Sequence, residues 1–163
     1  MVTKTKAQHM QDKNILDILG TPLWSITMPI PPSTNSLFMP VATKGRSRMV
    51  ITKEYREWRK SLDLIEWKDA PIFTHKVFIV VEVRPGPTLS DKADADNLAK
   101  APVDALVRHQ VLVDDNRDYV RGVMTYFGSP IDSQAEGFAI VSIFGEWVLN
   151  GKHQEPALFD GYQ

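Results

Sequence analysis

Cysteine is absent from this 163-residue chain, which excludes disulfides, Cys-ligated zinc, iron–sulfur clusters and thiol nucleophiles. No apolar run approaches the roughly 18 residues that a membrane span needs. The first 22 residues contain basic side chains but no continuous apolar stretch of the kind a secretory signal carries. A cytoplasmic protein without a membrane partner is the expectation. Histidine is sparse, and His9, His75, His109 and His153 fall at no ligand spacing, so they are assigned no chemistry. Internal repeats and low-complexity tracts are missing too. Hydrophobic residues make up 43% and charged residues 24%, ordinary globular usage that argues against wholesale disorder and, at this length, for one domain.

An excess of one charge is also lacking: 19 Lys and Arg stand against 20 Asp and Glu, a net of −1. That sum conceals two blocks of opposite sign. Residues 1–90 hold 13 basic against 8 acidic side chains, a net of +5, and residues 91–163 hold 6 against 12, a net of −6. The basic excess concentrates in Lys44, Arg46, Arg48, Lys53, Arg56, Arg59 and Lys60. The acidic excess concentrates in Asp91, Asp94, Asp96, Asp104, Asp114, Asp115 and Asp118. Separated charge of this kind carries information that the total does not.

The chain reads as a polar leader over 1–22, one domain over 23–149 and a polar tail over 150–163. Trp24-Ser-Ile-Thr-Met28 alternates as a half-buried strand does, and Pro29, Pro31 and Pro32 end it. Residues 39–51, with Pro40 and Gly45, read as a flexible loop. Thr52 is placed to cap a helix, in which Tyr55, Trp58, Leu62 and Ile65 make one apolar stripe. Lys76–Arg84 is rich in β-branched residues and reads as a buried strand. Asp96 or Asn97 can cap a second helix with Leu98, Ala101, Ala105 and Leu106 inward. Pro102 then demands a later helix start or a kink. Tyr119–Phe127 and Phe138–Trp147 read as two strands of a hairpin joined by GSPIDSQAEG. The order β-α-β-α-β-β predicts a small mixed-sheet α/β (α+β) fold with two main helices.

The informative cluster is Asp94-Ala-Asp96-Asn97-Leu98-Ala-Lys100, with Asp114-Asp115 following. In an extended segment the carboxylates of Asp94 and Asp96 point to one side, and Lys100 returns to the face of Asp96 once a helix starts. Asp114 or Asp115 joins them if the chain turns back after that helix. Carboxylates so gathered need a cation, and hard oxygen ligands without sulfur favour Mg²⁺, with Mn²⁺ as a substitute. Such an ion can activate water for phosphodiester hydrolysis, and a neighbouring lysine can offset transition-state charge. Taken singly, each piece has a plainer role, as a solvated loop, a helix cap or a turn. Asp104 reads as a helix-surface partner of Arg108. A calcium EF-hand fails because Leu98 occupies a ligand position. The DDxxD-like Asp114–Asp118 belongs elsewhere to large all-helical enzymes.

Three ordered blocks resemble the RusA-type Holliday-junction resolvases, a family of crossover junction endodeoxyribonucleases often encoded by phages and prophages. They are Trp24-Ser-Ile-Thr-Met-Pro-Ile-Pro-Pro-Ser-Thr-Asn35, then Asp94-Ala-Asp96-Asn97-Leu98-Ala-Lys100 with Asp104-Ala-Leu106, then Val113-Asp114-Asp115. The resemblance covers about residues 24–146. It implies a homodimeric, Mg²⁺-dependent endonuclease that nicks four-way DNA junctions in a paired, symmetric way. By position Asp94, Asp96 and Asp115 match the family's metal-binding aspartates and Lys100 its catalytic lysine, with Asp114 next to the matched aspartate. The family's arginine-rich run before the first aspartate is replaced by Leu89-Ser-Asp-Lys-Ala93, where only Lys92 is basic.

Branched DNA needs phosphate partners. Lys44, Arg46, Arg48, Arg56 and Lys60 are the candidates, with Lys92 beside the acidic cluster. Phe38, after the PPSTN loop, suits the core better than a wedge between bases. Trp24, Trp58, Trp67 and Trp147 suit core or dimer-interface positions. Two rival readings are a non-catalytic DNA-junction binder on the same scaffold and a metal-dependent phosphohydrolase of small esters.

Overall fold

The structure, a computed structural model, describes residues 19–43, 45–67, 69–131 and 136–145. In order these form β1 (Trp24–Pro29), β2 (Phe38–Thr43), β3 (Arg46–Ile51), α1 (Lys53–Leu62), β4 (Val77–Arg84), α2 (Lys100–Arg108), β5 (Val120–Phe127) and β6 (Phe138–Gly145). Single 3-10 turns occupy Thr34–Ser36 and Asp96–Leu98. The result is a mixed α+β fold, with one four-stranded sheet in the order β1-β6-β4-β5 and a separate β2–β3 pair. Lys44, Trp147, His9, His153, most of the expected leader and the whole expected tail lie outside the described residues.

β4 organises the sheet because both of its faces are apolar. Val77, Ile79, Val81 and Val83 join Tyr55, Trp58, Leu62, Leu98, Ala101 and Leu106 in the main core. Phe78 and Val80 pack on the opposite face with Phe144 and Leu19. A strand buried on both faces belongs in a sheet interior, and β4 accordingly pairs with β6 antiparallel and with β5 parallel. This corrects the hairpin expected for β5 and β6, which β4 separates. Residues 128–131 pass the end of β4 instead, with Gly128 N–H donating to Val83 O at 2.9 Å and Ile131 N–H to Pro85 O at 3.2 Å. Gly137 is required there, since a Cβ would lie 2.7 Å from Arg84 O.

The loop expected over 39–51 is instead the β2–β3 hairpin, paired from Phe38↔Ile51 to Thr43↔Arg46. Gly45, just before β3, has φ +77°, a left-handed conformation that glycine adopts without a Cβ clash. Thr52 caps α1 as expected. Its hydroxyl accepts from Tyr55 N–H at 3.2 Å and donates to Ser36 O at 2.6 Å. The helix ends at Leu62, earlier than its stripe implies, and Ile65 reaches the core from the following turns. α2 starts late, at Lys100 after the 3-10 turn, so Pro102 sits in the first turn, where its missing N–H costs nothing. Neither Asp96 nor Asn97 caps α2; the N-cap is Ala99, without a side-chain bond.

Beyond the end of α2 at Arg108, Gln110 has φ 61°. Val111 N–H bonds Leu106 O at 2.9 Å and Gln110 N–H bonds Val107 O at 3.1 Å, a Schellman turn that reverses the chain. At this end the His109 ring stacks on Trp67, with centroids 4.1 Å apart. Burial, reinforced by the Arg108 charge, holds the imidazole pKa below its ordinary value. The unfolded chain therefore binds the extra proton first, and folding stability falls as pH drops below about 6.5. His109→Phe keeps the stack without the titration, and urea unfolding between pH 7 and 5.5 should show a shallower loss of stability than in wild type.

Candidate active site

The three sequence blocks meet in space. The PPSTN loop turns through its 3-10 segment, and Thr34 Oγ1 donates to Asn97 O at 2.9 Å, tying the first block to the acidic turn. Lys100, the first residue of α2, reaches Asp115 Oδ2 at 2.9 Å, tying that turn to the third block. The Schellman turn after α2 makes this second contact possible, because it sends Val111–Asp115 back toward the helix start.

Lys100 lies between two carboxylates, 2.6 Å from Asp104 Oδ1 and 2.9 Å from Asp115 Oδ2. The Asp104 hydrogen bond above all, against some desolvation, raises the lysine pKa above its usual value. In return the Lys100 ammonium depresses the carboxyl pKa of Asp115. Lys100 is thus a fixed cation at neutral pH. Asp104 is not the partner of Arg108 expected from i,i+4 spacing. Arg108 instead makes a forked bond to Asp63 at 3.0 and 3.2 Å, and Asp104 also accepts from Tyr55 OH at 3.4 Å. Burial, then the Asp104 charge, raises the tyrosine pKa. Sequence reasoning missed Asp104 and Tyr55 as site residues. The i,i+4 spacing of Lys100 and Asp104 was an available signal; the reach of Tyr55 from another helix was not.

Asp94 and Asp96 are exposed on the turn before α2. Ala95 between them is in the right-handed helical region, φ −61° and ψ −40°. The extended geometry expected for this segment is therefore replaced by a turn, and residues two apart on a helical turn diverge. Asn97 links to both, through Nδ2 to Asp94 Oδ2 at 3.4 Å and through its N–H to Asp96 Oδ1 at 2.9 Å. Asp114 is taken up by its own turn, accepting from Asp115 N–H and from Asn116 Nδ2 at 2.8 and 2.6 Å. That leaves Asp115 as the carboxylate facing Lys100. As a donor set, exposed carboxylates without sulfur fit a hard divalent ion. Their spacing is open: among the described residues no three His, Asp or Glu side chains stand close enough to share one ion.

Four of the basic candidates fall on two neighbouring elements. Arg46 and Arg48 are exposed on one face of β3. Arg56 and Lys60 are exposed one helical turn apart on α1, and Arg56 Nη2 donates to Ile51 O at 3.4 Å, joining the helix to the hairpin base. Lys92 is exposed at the rim of a groove of about 400 Å³ between the Pro31–Ser33 loop and residues 88–93. Phe38 is 44% exposed and not a core residue. Trp58 is buried, and Trp24 and Trp67 pack at the edge of the main core. No helix among the described residues is long and apolar enough to cross a membrane. Comparison with known proteins matches no family model and no curated protein to this chain.

Proposed function

We propose that this protein is a Mg²⁺-dependent endodeoxyribonuclease of the RusA type that resolves four-way DNA junctions, acting as a homodimer in the cytoplasm of a bacterial or phage-infected cell. The observation that carries the reading is the meeting of the three resemblance blocks around Lys100, through Thr34–Asn97 on one side and Lys100–Asp115 on the other. Asp94, Asp96 and Asp115 are the residues that would hold Mg²⁺, or Mn²⁺ in its place. When bound, the ion would supply activation of a water and neutralisation of phosphate charge. Lys100, kept protonated by Asp104 and Asp115, adds a fixed positive charge for the phosphorane-like transition state or the leaving oxygen. Arg46, Arg48, Arg56, Lys60 and Lys92 hold flanking phosphates, and Lys44 extends the same run in sequence. A two-fold dimer would present two such sites to a two-fold branch point.

The deciding experiment incubates the protein with a labelled four-way junction, a flap and a linear duplex, each with Mg²⁺ and with EDTA. Paired nicks in the junction with Mg²⁺ alone are the expected result. Tight junction binding with no metal-dependent cutting would favour the non-catalytic binder. Cutting of small phosphate esters but of no DNA would favour the phosphohydrolase.

A further inference from the structure

A cleft between α1 and α2, closed at one end by the base of the β2–β3 hairpin, has no ligand among the roles assigned above. Phe38, Tyr55, Trp58, Arg59, Asp104 and Arg108 contribute to its lining, and it encloses about 240 Å³. An apolar cavity of about 150 Å³ takes up one benzene ring, so this one has room for a single heteroaromatic base but not for a base pair. Its mouth is aromatic. Phe38 stands edge-on to Tyr55 with ring centroids 6.0 Å apart, and the residue is 44% exposed despite its size.

The charge at the cleft has one sign available. Arg108 is committed to Asp63, whereas the Arg59 guanidinium lies 5.7 Å from the Tyr55 ring centroid and pairs with no carboxylate among the described residues. Arg56 and Lys60 flank Arg59 on the same helix. The floor of the cleft also runs into the candidate active site: Tyr55 OH bonds Asp104, Asp104 bonds Lys100, and Lys100 bonds Asp115.

We propose that this cleft receives one unstacked nucleobase of the DNA strand held at Lys100 and Asp115, with Phe38 as its stacking face and Arg59 on the adjoining phosphate. The inference rests on the nuclease reading and adds a substrate contact to it. An aromatic face beside cations that pair with no carboxylate among the described residues suits a base with its phosphate. An apolar side chain from a second copy of this chain would leave those cations without a use. Unstacking is least costly for a base that is already unpaired or poorly stacked. A cleft of this kind therefore favours a branch point over an intact duplex.

The test uses the full chain in EDTA with four-way junctions carrying 5-iododeoxyuridine at successive positions around the branch. After irradiation, the cross-linked residue is identified by mass spectrometry. One branch position should link to Phe38 or Tyr55. Phe38→Ala, at a half-exposed site and checked by its melting temperature, should lose that link and bind the junction about tenfold more weakly, with duplex binding unchanged. An abasic site at the same position should remove the difference between wild type and variant. Cross-links confined to other residues, or equal junction affinity for both proteins, would overturn the inference. So would a change of oligomeric state in Phe38→Ala, which would assign the cleft to a second copy. Cross-linking at Phe38 or Tyr55 without Mg²⁺-dependent cutting would keep the cleft and remove the nuclease reading, and cutting without that cross-link would do the reverse.

Discussion

Asp94→Asn, Asp96→Asn and Asp115→Asn should each lower Mg²⁺-dependent nicking of a four-way junction by about a thousandfold or more, while the fold and junction binding persist. Asparagine keeps the size of the side chain but removes the charge that binds a hard cation, so the loss falls on the metal-dependent step. All three positions are exposed, so no core packing changes. Asp115→Asn does remove one ion pair, to Lys100 at 2.9 Å, but exposed pairs of this kind contribute only about 0–1 kcal/mol. Melting temperatures should therefore stay close to wild type. Gel assays of the labelled junction, with gel-shift binding in EDTA alongside, separate the two effects. Wild-type cutting by any two of the three would remove the metal assignment. Asp114→Asn is the internal contrast. Its carboxylate is bonded within its own turn, and its loss should reduce activity far less.

The elements themselves were legible in the residues. The Thr52 cap, the Tyr55–Trp58–Leu62 stripe and the β-branched run that became β4 are local signals, and each appears where the pattern places it. The delay of α2 to Lys100 was legible from Pro102. Pairing was less legible, because it depends on which strand most needs cover. β5 and β6 adjoin in sequence, yet β4, apolar on both faces, takes the position between them. The β2–β3 hairpin was hidden for the opposite reason. Its residues are largely exposed, so no buried alternation marks it, and Gly45 in its turn reads equally as a loop residue.

At the site, the sequence let Asp114 or Asp115 join Lys100 only if the chain turned back after the helix, and the Schellman turn after α2 supplies that reversal. It misjudged Asp94 and Asp96, whose common direction required an extended backbone that Ala95 does not adopt. It also paired Asp104 with Arg108 by spacing alone. Two i,i+4 partners were open to Asp104, Lys100 before it and Arg108 after it. Asp63, brought in by α1, engages Arg108 and leaves Asp104 to Lys100. A tertiary contact decided between two equal local choices.

Lys100→Ala should lower turnover of the junction by about 10²–10³-fold, the usual cost of removing one preorganised charge or donor at a transition state, with junction affinity changed by less than about threefold. The expectation follows from how the ammonium is held. It is fixed on both sides, by Asp104 at 2.6 Å and Asp115 at 2.9 Å, and remains charged across the neutral range, so the role expected of it is that of a positioned cation and not of a base. On the proposed reading, phosphate contact is shared among five or more other basic residues, so affinity should survive its loss. Asp104 bonds Lys100 directly, which makes a sharper test possible. Asp104→Asn should lower turnover by about tenfold, since it leaves the ammonium present but loosely directed. The double variant should then be no worse than Lys100→Ala alone, because the interaction Asp104 supports is already gone. Single-turnover nicking rates of the four proteins close this cycle. Additive losses would mean that Asp104 contributes independently, through Tyr55 and the neighbouring cleft, and not by orienting Lys100.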